Sequence, residues 1–98
     1  MNMQAMLKQA QKLQKDMMKE KDEIDNMEFT GKSSFVTVTM KGTKEITKVK
    51  IEADKLDKDD IEMLEDMIQV AVNEAINNID NITEKKMGKY TKGMPGLF

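Results

Sequence analysis

The chain has 98 residues, 16 basic and 18 acidic, for a net charge of −2, and it contains no cysteine, histidine, tryptophan or arginine. That composition removes disulfides, thiol nucleophiles, imidazole acid–base chemistry and the nitrogen and sulfur ligands of zinc. With no apolar run near the ~18 residues of a membrane span, it predicts a single soluble, cytoplasmic, non-catalytic domain needing no metal or cofactor and no small-molecule substrate.

The stretch from Met1 to Lys19 alternates apolar and polar residues, unlike the solid apolar core of a signal peptide. A chain this short buries only about 60–70% of its unfolded surface, so a second copy is a natural source of further stability. Charge is segregated: residues 1–15 carry +3, 16–28 carry −4, 29–51 carry +4, 52–84 carry −9 and 85–98 carry +4. A polyanion responds to local potential, so the net acidity does not exclude DNA.

The first element is an amphipathic helix from about Asn2 to Asn26, free of proline and glycine. With Met3 at heptad position a, the seam runs Met3, Met6, Ala10, Leu13, Met17, Glu20, Ile24 and Met27, apolar everywhere except Glu20. A short strand follows around Met27–Lys32. A second spans Ser34–Met40, with Val36, Val38 and Met40 on one face and Phe35 on the other. Lys41-Gly42-Thr43-Lys44 reads as a turn. Ile46–Ile51 returns as a third strand. Ile46 is out of phase with Val49 and Ile51, which predicts a bulge near Thr47.

Asp57 is placed to cap a second helix, with Asp59, Asp60 and Glu62 in its first turn. The same aspartates superficially resemble a calcium loop, but they lack its glycine and its terminal glutamate spacing. The apolar stripe of this helix is Ile61, Leu64, Met67, Ile68, Ala71, Val72, Ala75, Ile76, Ile79 and Ile82, broad enough to touch both a sheet and another helix. Gly88 is the expected helix end. The chain thus divides into a domain over 1–87 and a flexible basic tail over 88–98. Most of the eleven methionines, including Met3, Met6, Met17, Met27 and Met67, fall on faces expected to fill the core.

Three lysine groups are candidates for contact with a phosphate backbone. Lys8, Lys12, Lys15 and Lys19 are spaced four, three and four apart. They lie within about 60° of one another over about 16 Å of helix, opposite the apolar seam. Such a row can follow phosphates as point charges without reading bases; it is equally what a solvated outer helix face looks like. Lys41, Lys44, Lys48 and Lys50 flank the second turn or share the polar side of the sheet, where lysine also serves as edge protection. Lys85, Lys86, Lys89 and Lys92 surround Tyr90, whose ring suits stacking on an unpaired base. The other reading of that group is a solubilising tail.

Three segments in order resemble the YbaB/EbfC family: Met6-Leu7-Lys8-Gln9-Ala10-Gln11-Lys12-Leu13-Gln14; Val36-Thr37-Val38-Thr39-Met40-Lys41-Gly42 followed by Ile46–Ile51; and the ending Gly93-Met94-Pro95-Gly96-Leu97. The resemblance implies an α+β protomer, a helix, a three-stranded antiparallel sheet and a helix, joined as a tweezer-like homodimer. It implies a bacterial nucleoid-associated protein that binds double-stranded DNA with weak sequence preference, through arms that here carry Lys8, Lys12, Lys15 and Lys19; Lys85, Lys86 and Lys89 are further candidates from the charge of the tail alone. Many relatives carry glycines before the central strand, where this chain has Lys32-Ser33-Ser34; the substitution implies a stiffer connection. The absence of arginine argues against bidentate reading of guanine.

Two other functions fit the same elements. One is a prefoldin-like chaperone subunit, although its two long paired arms are not matched by a first helix of about 25 residues. The other is a recombination or replication adaptor that docks through the apolar Met94-Pro95-Gly96-Leu97-Phe98.

Overall fold

The computed structural model describes residues 2–93. Helix α1 (Met3–Asn26) leads into strands β1 (Glu28–Ser33), β2 (Val36–Lys41) and β3 (Ile46–Ile51), and a single 3-10 turn precedes helix α2 (Ile61–Gly93). The strands form one antiparallel sheet in the order β1-β2-β3. This is the α+β layout read from the sequence. No described helix is long and apolar enough to cross a membrane.

Helix α1 starts where Asn2 accepts the Gln4 backbone N–H at 3.0 Å, satisfying one of the free donors of the first turn. At the far end of the sheet, Asp60 accepts the Asp57 N–H at 3.0 Å and so closes the turn that launches α2. The bulge expected near Thr47 is present. Thr39 pairs with Lys48 but Met40 pairs with Ile46, leaving Thr47 as the extra residue, which brings Ile46 onto the same face as Val49 and Ile51.

Alternation along β1 and β2 turns Phe29, Val36, Val38 and Met40 toward α2, whose Ala71, Ala75 and Ile79 meet them. Met40, Ile79, Val36 and Val38 are the largest fully buried side chains, each worth about 1.5–3 kcal/mol of hydrophobic transfer. Gly31 and the alanines Ala71 and Ala75 have small side chains because the helix backbone rides directly on β1; a Cβ on Gly31 would strike the Ala71 carbonyl. Gly42 has a similar reason. The left-handed residue of its turn is Lys44, at φ 74°, whereas Gly42 makes room for the Ile24 carbonyl at the end of α1.

Helix α2 covers β1 and β2, and among the described residues no helix packs on β3. Ile46, Val49 and Ile51 consequently stay 39–47% exposed on the core-facing side of that edge strand. The molecule measures 71 × 20 × 14 Å with a radius of gyration of 19.4 Å, against about 13 Å for a compact chain of this length. The excess length lies in the helices. Helix α1 buries only Ile24, and Met3 and Met6 near its start are 76% and 50% exposed.

Three expectations are corrected. Gly88 does not end α2, which continues to Gly93, so residues 88–93 are helical and the expected tail end, 94–98, lies outside the described residues. The reason is packing: Met87 and Tyr90 join the buried core beside Ile24 and Ile79, which outweighs the roughly 1 kcal/mol that a helical glycine costs. Tyr90 is therefore not free to stack on a base. Two of the methionines expected on core-filling faces do not reach the core: Met17, Met27 and Met67 pack partly against it, whereas Met3 and Met6 stay exposed in the single chain.

Candidate nucleic-acid interface

Lys8, Lys12, Lys15 and Lys19 all stand exposed on α1. At about 100° per residue their common direction lies roughly 150° round the helix from Ile24, the residue that anchors α1 to the core. The packing that buries Ile24 therefore turns the lysine row outward. Among the described residues none of the four forms an ion pair with a carboxylate. With no carboxylate paired to them among the described residues, four ammonium groups over about 16 Å present a linear positive track.

The track ends abruptly. One turn beyond Lys19, the same side of α1 carries Asp22 and Glu23, and Lys21 is bonded to Asp25 at 3.2 Å.

Lys85, Lys86 and Lys89 lie on the last turns of α2. Lys85 is exposed and Lys86 half-buried. Lys89 is engaged: its Nζ donates to Glu20 Oε1 at 3.2 Å and stands 5.1 Å from the centre of the Tyr90 ring. The Glu20 hydrogen bond chiefly raises the Lys89 pKa above the ordinary lysine value, partly opposed by desolvation. Burial chiefly raises the Tyr90 phenol, with hydrogen bonding to Glu20 adding in the same direction. The junction joins the end of α2 to α1 one residue from Lys19. It explains the single polar residue in the α1 seam: Glu20 sits there because the partner helix supplies a cation.

Sequence reading left that junction out, although two signals for it exist. A carboxylate in an apolar seam needs a partner, and Met87 and Tyr90 continue the three-and-four spacing of Ala71, Ala75 and Ile79 through Gly88. The side chain of Lys92 and the apolar segment 94–98 lie outside the described residues.

The strand lysines divide. Lys44 pairs with Asp80 at 3.1 Å and Lys50 approaches Glu52 at 3.8 Å, while Lys41 and Lys48 are exposed without an ion pair among the described residues. These exposed pairs are weak, each worth about 0–1 kcal/mol.

Comparison with known proteins gives the family of the chain. Residues 1–94 match the YbaB/EbfC DNA-binding family. A nucleoid-associated protein of Lactococcus lactis subsp. cremoris (strain MG1363) is 48% identical over 97 residues, covering 97% of this chain and 98% of the relative. Nucleoid-associated proteins of Ligilactobacillus salivarius (strain UCC118) and Enterococcus faecalis (strain ATCC 700802 / V583) are each 43% identical, covering 99% and 98% of this chain and 95% and 94% of their own.

Proposed function

The chain belongs to the YbaB/EbfC DNA-binding family, and from that membership we propose that it is a bacterial nucleoid-associated protein that holds duplex DNA through lysine–phosphate contacts. It works without catalysis, in the cytoplasm, on the nucleoid. The observation that carries the reading is the outward row Lys8, Lys12, Lys15 and Lys19, exposed and without carboxylate partners among the described residues. Lys85 and Lys86 extend the contact from the end of α2. Lys89, its ammonium paired with Glu20, instead holds the end of α2 against α1 beside the row. Ammonium groups on flexible stems follow a phosphate backbone and carry no base code, so sequence preference is weak.

The active form is a tweezer-like homodimer. Two apolar surfaces support that: the α2-facing side of β3, with Ile46, Val49 and Ile51, and the uncovered start of the α1 seam, with Met3, Met6 and Leu13. Exposed apolar residues gathered on single faces of a small chain mark a contact with another chain.

Replacing Lys8, Lys12, Lys15 and Lys19 together with glutamine tests the proposal. Duplex affinity should fall at least about tenfold at moderate salt, equally for unrelated sequences, and the salt dependence should drop by about one unit of log–log slope per lysine. Unchanged affinity in the folded variant would refute the arm as the contact.

A further inference from the structure

The sheet has a second face, which no described helix covers. Alternation away from the core places Glu28, Thr30 and Lys32 of β1, Thr37, Thr39 and Lys41 of β2, and Lys48 and Lys50 of β3 on it. Register arranges these residues in rows across the strands. Lys32 stands opposite Thr37, which stands opposite Lys50; Thr30 stands opposite Thr39, which stands opposite Lys48. A third row ends the patch, where Glu28 stands opposite Lys41.

The first two rows contain three lysines, three threonines and no acid. Lys32, Lys48 and Lys50 are exposed, and the only ion pair any of them makes among the described residues is the long, open contact of Lys50 with Glu52 at 3.8 Å.

We propose that this open face is a second phosphate-binding surface, which takes the backbone of a second duplex segment while the α1 arm holds the first. The inference rests on the DNA-binding reading of the arm and adds a bridging function to it. Two strand spacings separate Lys32 from Lys50, about 10 Å, and Lys48 lies about 7 Å from Lys50 along β3. Successive phosphates of one DNA strand advance about 3.4 Å along the axis, so a patch of this size faces about three of them. Three ammonium groups match that charge. The hydroxyls of Thr30, Thr37 and Thr39 between them are donors suited to phosphate oxygens.

Charge along the chain argues that the two surfaces hold separate segments. Past Lys19 the outer side of α1 turns acidic at Asp22 and Glu23, and Glu28 opens β1 before the basic rows begin. A backbone running from the arm to the sheet would cross that acidic belt; two segments, one on each track, avoid it.

The test uses the full-length protein with one biotinylated duplex tethered to beads and a second, fluorescent duplex free in solution. Wild type, the arm variant (Lys8, Lys12, Lys15 and Lys19 to glutamine) and a sheet variant (Lys32→Gln, Lys48→Gln, Lys50→Gln) are compared, with circular dichroism showing that each is folded. The sheet variant should bind the tethered duplex within about threefold of wild type, yet capture at least about tenfold less of the free one. The salt slope of its capture should be lower by about one unit per lysine.

Capture by the sheet variant equal to wild type would overturn the proposal, and would assign bridging to the paired arms of a dimer. Wild-type protein that binds the tethered duplex but captures none would overturn it too. So would a sheet variant changed only in its association with other copies, since the face would then serve a protein contact. Failure of the arm reading has a different signature: the arm variant would bind the tethered duplex as wild type does, whatever the sheet variant does.

Discussion

Replacing Gly31 with alanine probes how α2 is seated on the sheet. An alanine Cβ at this position would collide with the Ala71 carbonyl oxygen and stand 2.6 Å from the Ala75 amide nitrogen and 3.0 Å from the Ala71 carbonyl carbon. All three are backbone atoms, so no rotamer change relieves the clash and the whole helix must lift. Lifting it loosens Ala71, Ala75 and Ile79 from Phe29, Val36 and Val38, the centre of the core. Overpacking of this kind costs about 1–3 kcal/mol, and rigid neighbours on all sides put Gly31→Ala near 3 kcal/mol.

For a domain of this size each kcal/mol lowers Tm by about 4–8 °C, so a fall of about 12–24 °C is expected. Gly88→Ala is the control, since nothing among the described residues lies within 4 Å of a Cβ there. That change removes a mid-helix glycine and should stabilise by about 0.5–1 kcal/mol. Thermal melts by circular dichroism at one fixed protein concentration compare the three proteins with the concentration dependence of association held constant. A Gly31→Ala melt within about 3 °C of wild type would refute the seating of α2, because a close contact between backbones cannot be filled at so small a cost.

Two further predictions concern local chemistry. Ser34 adopts φ 52° in the β1–β2 turn, where a residue with a Cβ is strained; Ser34→Gly should therefore stabilise by about 0.5–1 kcal/mol, read as a raised urea midpoint at unchanged slope. Tyr90 and Lys89 both hold their protons more tightly in the fold than in the unfolded chain, Tyr90 through burial and Lys89 through Glu20. Above about pH 10 the unfolded state binds fewer protons than the native state, so stability is full below that pH and is lost as pH rises through the raised folded values. Urea unfolding across this range should show a shallower alkaline loss in Tyr90→Phe than in wild type, and an identical pH dependence would contradict the burial assigned to the phenol.

How far the sequence prescribes the structure depends on the range of the interaction involved. The Thr47 bulge was legible because period two is strict: Ile46 could join Val49 and Ile51 only if one residue were looped out. The strands and both helix starts were legible for similar reasons, being set by alternation and by capping within a few residues. Gly42 and Gly88 were not. Local rules make one a turn residue and the other a helix stop, but distant parts of the chain decide both: the Ile24 carbonyl over Gly42, and the docking of Met87 and Tyr90 on either side of Gly88.

The lysine row on α1 was readable from helical spacing alone, because its outward direction follows once Ile24 is buried. Whether Lys89 stands free was not readable, since its partner Glu20 lies 69 residues away in sequence. Met3 and Met6 show the converse. Heptad spacing identifies an apolar seam but not what covers it, and in the single chain nothing described does.

The central claim, that this protein holds duplex DNA by its phosphates, is tested most directly by titrating the wild-type protein against two labelled duplexes of unrelated sequence. Fluorescence anisotropy at several salt concentrations gives the affinity and its log–log slope. Four arm contacts predict saturable binding with a slope of about −3.6 or steeper, at about −0.9 per neutralised phosphate, and affinities for the two sequences that agree within a few-fold. Absence of saturable binding at low salt, or affinity that does not respond to salt, would contradict the account.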